Sequence, residues 1–152
     1  MTKPTALLSV YDKEGIVEFA RGLVELGWDI VSSGGTFKKL TDNGVPATDV
    51  ADLVGGGAIL GHRVVTLSRE VHAGLLARHI DEDLQEMEKL GLRYIDLVCF
   101  NLYPLADEIA KETATSNSVI EQTEIGGPRA PDPSARARRL GMGDRGYAPP
   151  VL

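Results

Sequence analysis

The stretch DIVSSGGTFKKL, residues 29–40, decides the fold. It starts apolar and β-branched, crosses two serines, two glycines and a threonine, and enters a basic segment with helical spacing. That order reads as strand, tight turn and helix entry. Glycines let backbone amides converge, and serine or threonine adds hydroxyl donors. A helix beginning near Thr36 would aim its free N–H groups at the turn, which is the chemistry of a phosphate cradle. The same residues also read as a plain strand-to-helix connection with Thr36 as the N-cap. What separates the two readings is whatever else faces this turn.

Upstream, TALLSV (5–10) reads as a short buried strand, and DKEGIVEFARGLVELG (12–27) as an amphipathic helix closed by Gly27. Downstream, TFKKLTDNG is a helix ending at Asn43-Gly44, and VPATDVADL (45–53) is a third extended segment weakened by Pro46. DEDLQEMEKLGLR (81–93) is a helix with a polar face. YIDLVCFNLYP (94–104) is the strongest strand, and its nearly all-apolar central run, Ile95 to Phe100, predicts burial on both faces. SNSVIEQTEIGGP (116–128) is a helix or strand entry leading to a Gly-Gly-Pro turn. GHRVVTLSREVHAGLLAR (61–78) is poor in regular pattern, and its two histidines lack a clustered carboxylate and read as non-ligands.

Alternating strands and helices predict an α/β fold, a parallel sheet with helices on both faces. Ligands of such sheets bind beyond the carboxyl ends of the strands. The turns YDK (11–13), SGGT (33–36) and NLYP (101–104) all follow strands, so they fall on one edge. Lys13 is thereby placed beside the glycine turn. A cation near a helix start opposes the helix dipole, which favours an anionic partner there.

The 152 residues predict one domain large enough to bury a core without disulfides or metals. A net charge of −6 gives no general attraction for nucleic acid or an anionic membrane, so an anionic ligand needs a local cationic pocket. The single cysteine, Cys99, excludes an intrachain disulfide and reads as an inert thiol in an apolar run. No signal-like or membrane-spanning stretch is evident, which predicts a cytoplasmic protein. From Arg129 onward, five arginines stand against two aspartates amid Pro and Gly, and apolar periodicity is lost. Residues 1–128 are expected to form the domain, and 129–152 a basic tail or an arm lying on a partner subunit.

Taken together, LLSVYDKEGIVEFARGLVELGWDIVSSGGTFKKL, VHAGLLAR, CFNLYP and EIGGP resemble, in order, the inosine monophosphate cyclohydrolase domain of the bifunctional purine-biosynthesis enzymes. The resemblance runs from about Ala6 to Pro128. It implies the methylglyoxal-synthase-like three-layer fold with a parallel sheet. It also implies a dehydrative ring closure, in which a carboxamide nitrogen attacks a neighbouring formamide carbon and water leaves. Such chemistry needs an anchored phosphate, two groups held close, and stabilised oxygen charge. No metal or redox cofactor is implied. The expected partners are a small phosphorylated, purine-precursor-like ribonucleotide and a second copy of the chain in a homodimer.

By the same resemblance, Tyr11, Asp12, Lys13, Ser33, Gly34, Gly35 and Thr36 would surround the phosphate. Arg63, Val64, Val65 and Thr66 would lie along the substrate, Phe100 and Asn101 beneath the base, and Tyr103 near the reacting groups, with Glu124 and Ile125 approaching from the turn before GGP. Tyr103, Asn101 and Glu124 would carry the chemistry. The departures are pointed. Where the family reads RVKTLHP this chain reads RVVTLSRE, so Val65, Ser68 and Arg69 replace a lysine, a histidine and a proline. Glu124 replaces a usual aspartate and Tyr11 a usual serine. The family's second lysine follows the GGP turn, and here no lysine follows Pro128. Two functions stay open: a cyclohydrolase-like enzyme, including a paralogue with a changed substrate, and a catalytically silent phosphate- or nucleotide-binding module. Methylglyoxal synthase chemistry lacks a matching acidic motif.

Overall fold

The computed structural model describes residues 3–57, 59 and 64–122. Four strands, β1 (Thr5–Ser9), β2 (Asp29–Ser32), β3 (Thr48–Asp49) and β4 (Leu97–Phe100), form a sheet in the order β3-β2-β1-β4. Every pairing is parallel. The helices are α1 (Ile16–Glu25), α2 (Gly34–Asp42), α3 (Val50–Val54), α4 (Arg69–Leu76), α5 (Asp81–Lys89), α6 (Leu105–Ile109) and α7 (Ser116–Glu121). The expected α/β architecture is what the chain adopts.

Strand alternation explains the layering. Ala6, Leu8 and Ile30 point to one face, where they pack with Ile16, Ala20 and Leu23 of α1 and Leu40 of α2. Leu7 and Val31 point to the other, against Val50 of α3, Val71 and Leu75 of α4, and Ile95. The sheet is thus sandwiched between two helical layers. Helix α4 closely approaches the segment leading into β4 at Gly74. A Cβ there would stand 2.5 Å from the Arg93 carbonyl oxygen, and the Gly74 carbonyl accepts from Ile95 N at 2.9 Å.

Several expectations are corrected. The run around β4 is only partly buried, with Phe100 exposed, because β4 is outermost in the described sheet rather than flanked on both sides. The segment after Pro46 is extended for two residues only; Asp49 Oδ1 then accepts from Ala51 N and starts α3. The patternless segment contains α4, capped by Ser68, whose hydroxyl accepts from Val71 N at 3.1 Å. No helix among the described residues is long and apolar enough to cross a membrane. The basic tail assigned to 129–152 lies outside the described residues.

Candidate functional site

The parallel sheet brings the three turns together, as the pattern requires. Register pairs Leu8 with Ser32 and Ser9 with Phe100, so β1, β2 and β4 end side by side. The segments that follow them carry the candidate residues.

The glycine turn is built for backbone donation. Gly34 has φ 52°, a left-handed conformation natural to glycine. Helix α2 begins there, two residues ahead of the expected Thr36, with Ser33 at the N-cap position and no side-chain cap hydrogen bond. The ladder opens with Phe37 N donating to Ser33 O at 3.1 Å. The amides of Gly34, Gly35 and Thr36 therefore stand ahead of it, at the positive end of the helix.

Thr36 is a correction within the site. It is 4% exposed, and its hydroxyl accepts from Val10 N at 3.1 Å and donates to Val10 O at 3.0 Å. It is neither an N-cap nor a free hydroxyl donor; only its amide faces the cradle. Ser32 behaves likewise: it is buried, and its hydroxyl donates to Leu8 O at 2.6 Å. The two serines of the turn have therefore separated, one locking the strands and one at the helix entrance.

Lys13 lies over this helix entrance. A Cβ on Gly35 would meet Lys13 Cε at 3.3 Å and Nζ at 3.6 Å. The ammonium donates to Val10 O at 3.2 Å and Tyr11 O at 2.9 Å. Those carbonyls offset part of the cost of putting a cation at a helix amino end, about 0.3–1 kcal/mol. Lys13 and the α2 amides together present converging positive character to one point. Asp12 Oδ1 is occupied by Glu14 N at 3.0 Å, which shapes the turn.

On the β4 side, the Asn101 carboxamide bonds to the main chain of residues 11 and 12. The Tyr11 and Tyr103 rings meet with centroids 5.0 Å apart, tilted at 56°. Such a pair contributes about 0.5–1.5 kcal/mol beyond burial. Both rings stay substantially exposed, at 45% and 41%, so they wall an open mouth. The Lys111 ammonium, paired with Glu108 Oε2, lies near enough to Tyr11 for charge interaction. The hydrogen bond to Glu108 raises the Lys111 pKa and lowers that of Glu108. Neither Lys111 nor the clamp role of Asn101 was foreseen. Lys111 sits in a polar run without a motif, and an asparagine after a strand does not reveal its partner ninety residues away.

Val65 packs partly buried against the cluster of Leu7, Val31, Val50, Val71, Leu75 and Ile95. An apolar side chain fits that wall, where the resemblance expects a lysine. The Val64 main chain pairs with Ile59, and Thr66 O accepts from Ser68 N at 2.9 Å. Arg63, Glu124 and Ile125 lie outside the described residues. Cys99 is half-buried, and burial pushes its thiol pKa up, which makes it a poor nucleophile.

Residues 15–129 match the MGS-like domain. The chain is similar to the bifunctional purine biosynthesis protein PurH of Desulfitobacterium hafniense, at 50% identity over 123 residues, covering 81% of this chain and 24% of that protein. It is similar to PurH of a Cyanothece species at 51% identity over 127 residues, covering 82% and 25% respectively. Among solved structures it resembles ForH, with a TM-score of 0.70 and 36% identity over 90% of this chain and 70% of that one. The chain spans about a quarter of the length of these curated relatives.

Proposed function

The chain belongs to the MGS-like domain family, and from that membership we propose that it anchors a phosphorylated purine-precursor ribonucleotide and closes its second ring slowly, by positioning. The observation that carries this reading is Lys13 lying over the amino end of α2, against Gly35. A phosphate at that point would accept from the α2 amides and pair with the ammonium. The Tyr11–Tyr103 pair borders the space beyond it, where the base would lie. The similarity to PurH supports a place in purine biosynthesis.

Holding a carboxamide and a formamide in attack geometry lowers the barrier without a proton carrier. On this proposal Tyr103 is the group beside the reacting atoms, and Glu124 is the carboxylate that the family resemblance assigns to the chemistry. Position 65 is valine and residues 129–152 contain no lysine, so on this proposal proton transfer by those two groups contributes little, and the ring closure requires no metal or redox group. The setting is cytoplasmic and the assembly a homodimer; light scattering that finds only monomer would remove the assembly.

The second reading is a catalytically silent nucleotide-binding module, favoured by the apolar packing of Val65. Both readings require phosphate recognition. Titration with the formylated ribonucleotide and with its nucleoside tests that requirement: the nucleotide binds more tightly, and equal affinities would leave the turn as a structural connection only.

A further inference from the structure

The loop that carries Lys13 is tied down from two sides. Thr36 of α2 holds Val10 through both its amide and its carbonyl. One residue on, Asn101 Oδ1 accepts from Tyr11 N at 2.5 Å and from Asp12 N at 3.1 Å, while Asn101 Nδ2 donates to Asp12 O at 2.9 Å. Tyr11 O is in turn an acceptor for Lys13 Nζ.

We propose that Asn101 is a positioning residue: its carboxamide clamps the Tyr11–Asp12 main chain and so fixes Lys13 over the amino end of α2. This rests on the cradle reading above and deepens it. A carboxamide has four hydrogen-bonding positions, and three are spent on main chain. Its nitrogen and oxygen are both needed, since the acceptor holds two amides and the donor holds a carbonyl. A carboxylate could supply only the acceptor half, and an aliphatic residue neither. The clamp links β4 to the loop after β1, so it transmits the position of the β4 end, and with it the Tyr103 turn, to the phosphate lysine. Asn101 then serves the reaction through Lys13 rather than by touching the reacting atoms.

The test combines amide hydrogen exchange with titration of inorganic phosphate, on the full chain and its Asn101→Ala, Lys13→Ala and double variants. Asn101 is exposed, so Asn101→Ala is expected to fold. Exchange at Tyr11 and Asp12 should accelerate at least about tenfold, and phosphate affinity should fall by about tenfold. In the Lys13→Ala background, removing Asn101 should weaken phosphate no further. Asn101→Asp should fall between wild type and alanine. Unchanged exchange would overturn the clamp. Phosphate binding untouched by Asn101→Ala, or additive losses in the double variant, would overturn the link to Lys13 while leaving the cradle standing. A wild-type chain that ignores phosphate would overturn the cradle and this role together.

Discussion

The Lys13 side chain covers Gly35 at the first turn of α2: a Cβ at position 35 would stand 3.3 Å from Cε and 3.6 Å from Nζ. An added methyl there would press on the lysine stem at Cε and leave Nζ at ordinary contact distance, so glycine gives the lysine the most room over the first turn of α2. The pair is therefore a joint device, with one member supplying charge and the other supplying access to main-chain amides.

Removing either member has a distinct signature. Lys13→Ala should weaken phosphate binding by about 1.5–3 kcal/mol, the range for hydrogen bonds to charged groups. Gly35→Ala should leave thermal stability unchanged or slightly raised, since alanine is the better helix residue, yet weaken phosphate by pushing the ammonium aside. Calorimetric titration beside a melting curve separates the two effects. A Gly35→Ala variant that binds phosphate at wild-type affinity would show that the lysine's placement is incidental.

Position 65 gives a second prediction. Val65 packs against an apolar cluster, so Val65→Lys puts an ammonium stem where a branched aliphatic side chain fits. Stability should fall by about 1–3 kcal/mol. Ring-closing activity should rise little, because the second lysine is still missing. Recovery to the rate of a relative carrying both lysines would show that position 65 alone limits the chemistry.

Packing of α4 gives a third. A Cβ at Gly74 would stand 2.5 Å from the Arg93 carbonyl and 3.1 Å from Ile95 Cγ1. The nearest obstacle is backbone, so relief requires shifting α4 from the sheet. Gly74→Ala should cost about 1–3 kcal/mol, or about 2–4 °C of melting temperature per kcal/mol for a chain of this size. A variant that melts with the wild type would mean that α4 moves freely.

The architecture was readable because period and punctuation agree. Strand runs ended at glycine or polar turns, and Gly27 and Gly44 marked two helix ends; both have positive φ. Which turns share an edge followed from parallel pairing alone. What escaped the sequence was direction and position. Nothing in SSGGT says that the Thr36 hydroxyl turns inward to Val10, or that Ser32 bonds Leu8 while Ser33 stays at the helix entrance. An apolar run such as LVCF looks the same in a central strand and an outer one, so the expected two-sided burial of β4 is met only in part: Leu97 and Cys99 pack on one core cluster and Val98 on the other, each partly buried. Asn101 could be placed at the site edge, but its bonds to residues 11 and 12 depend on contacts far apart in the chain. The helix in the 61–78 segment was hidden because Ser68 looked like a lost histidine rather than a cap.

The most direct test of the account is the rate at which the purified chain converts the formylated purine-precursor ribonucleotide to its cyclised product, followed by absorbance. Positioning without the two lysines predicts closure that is faster than in buffer alone but at least about a hundredfold slower than in a relative that has both. A rate equal to that relative's would show that the lysines are dispensable in this site. No acceleration over buffer would leave only a binding module, and either result would contradict the account.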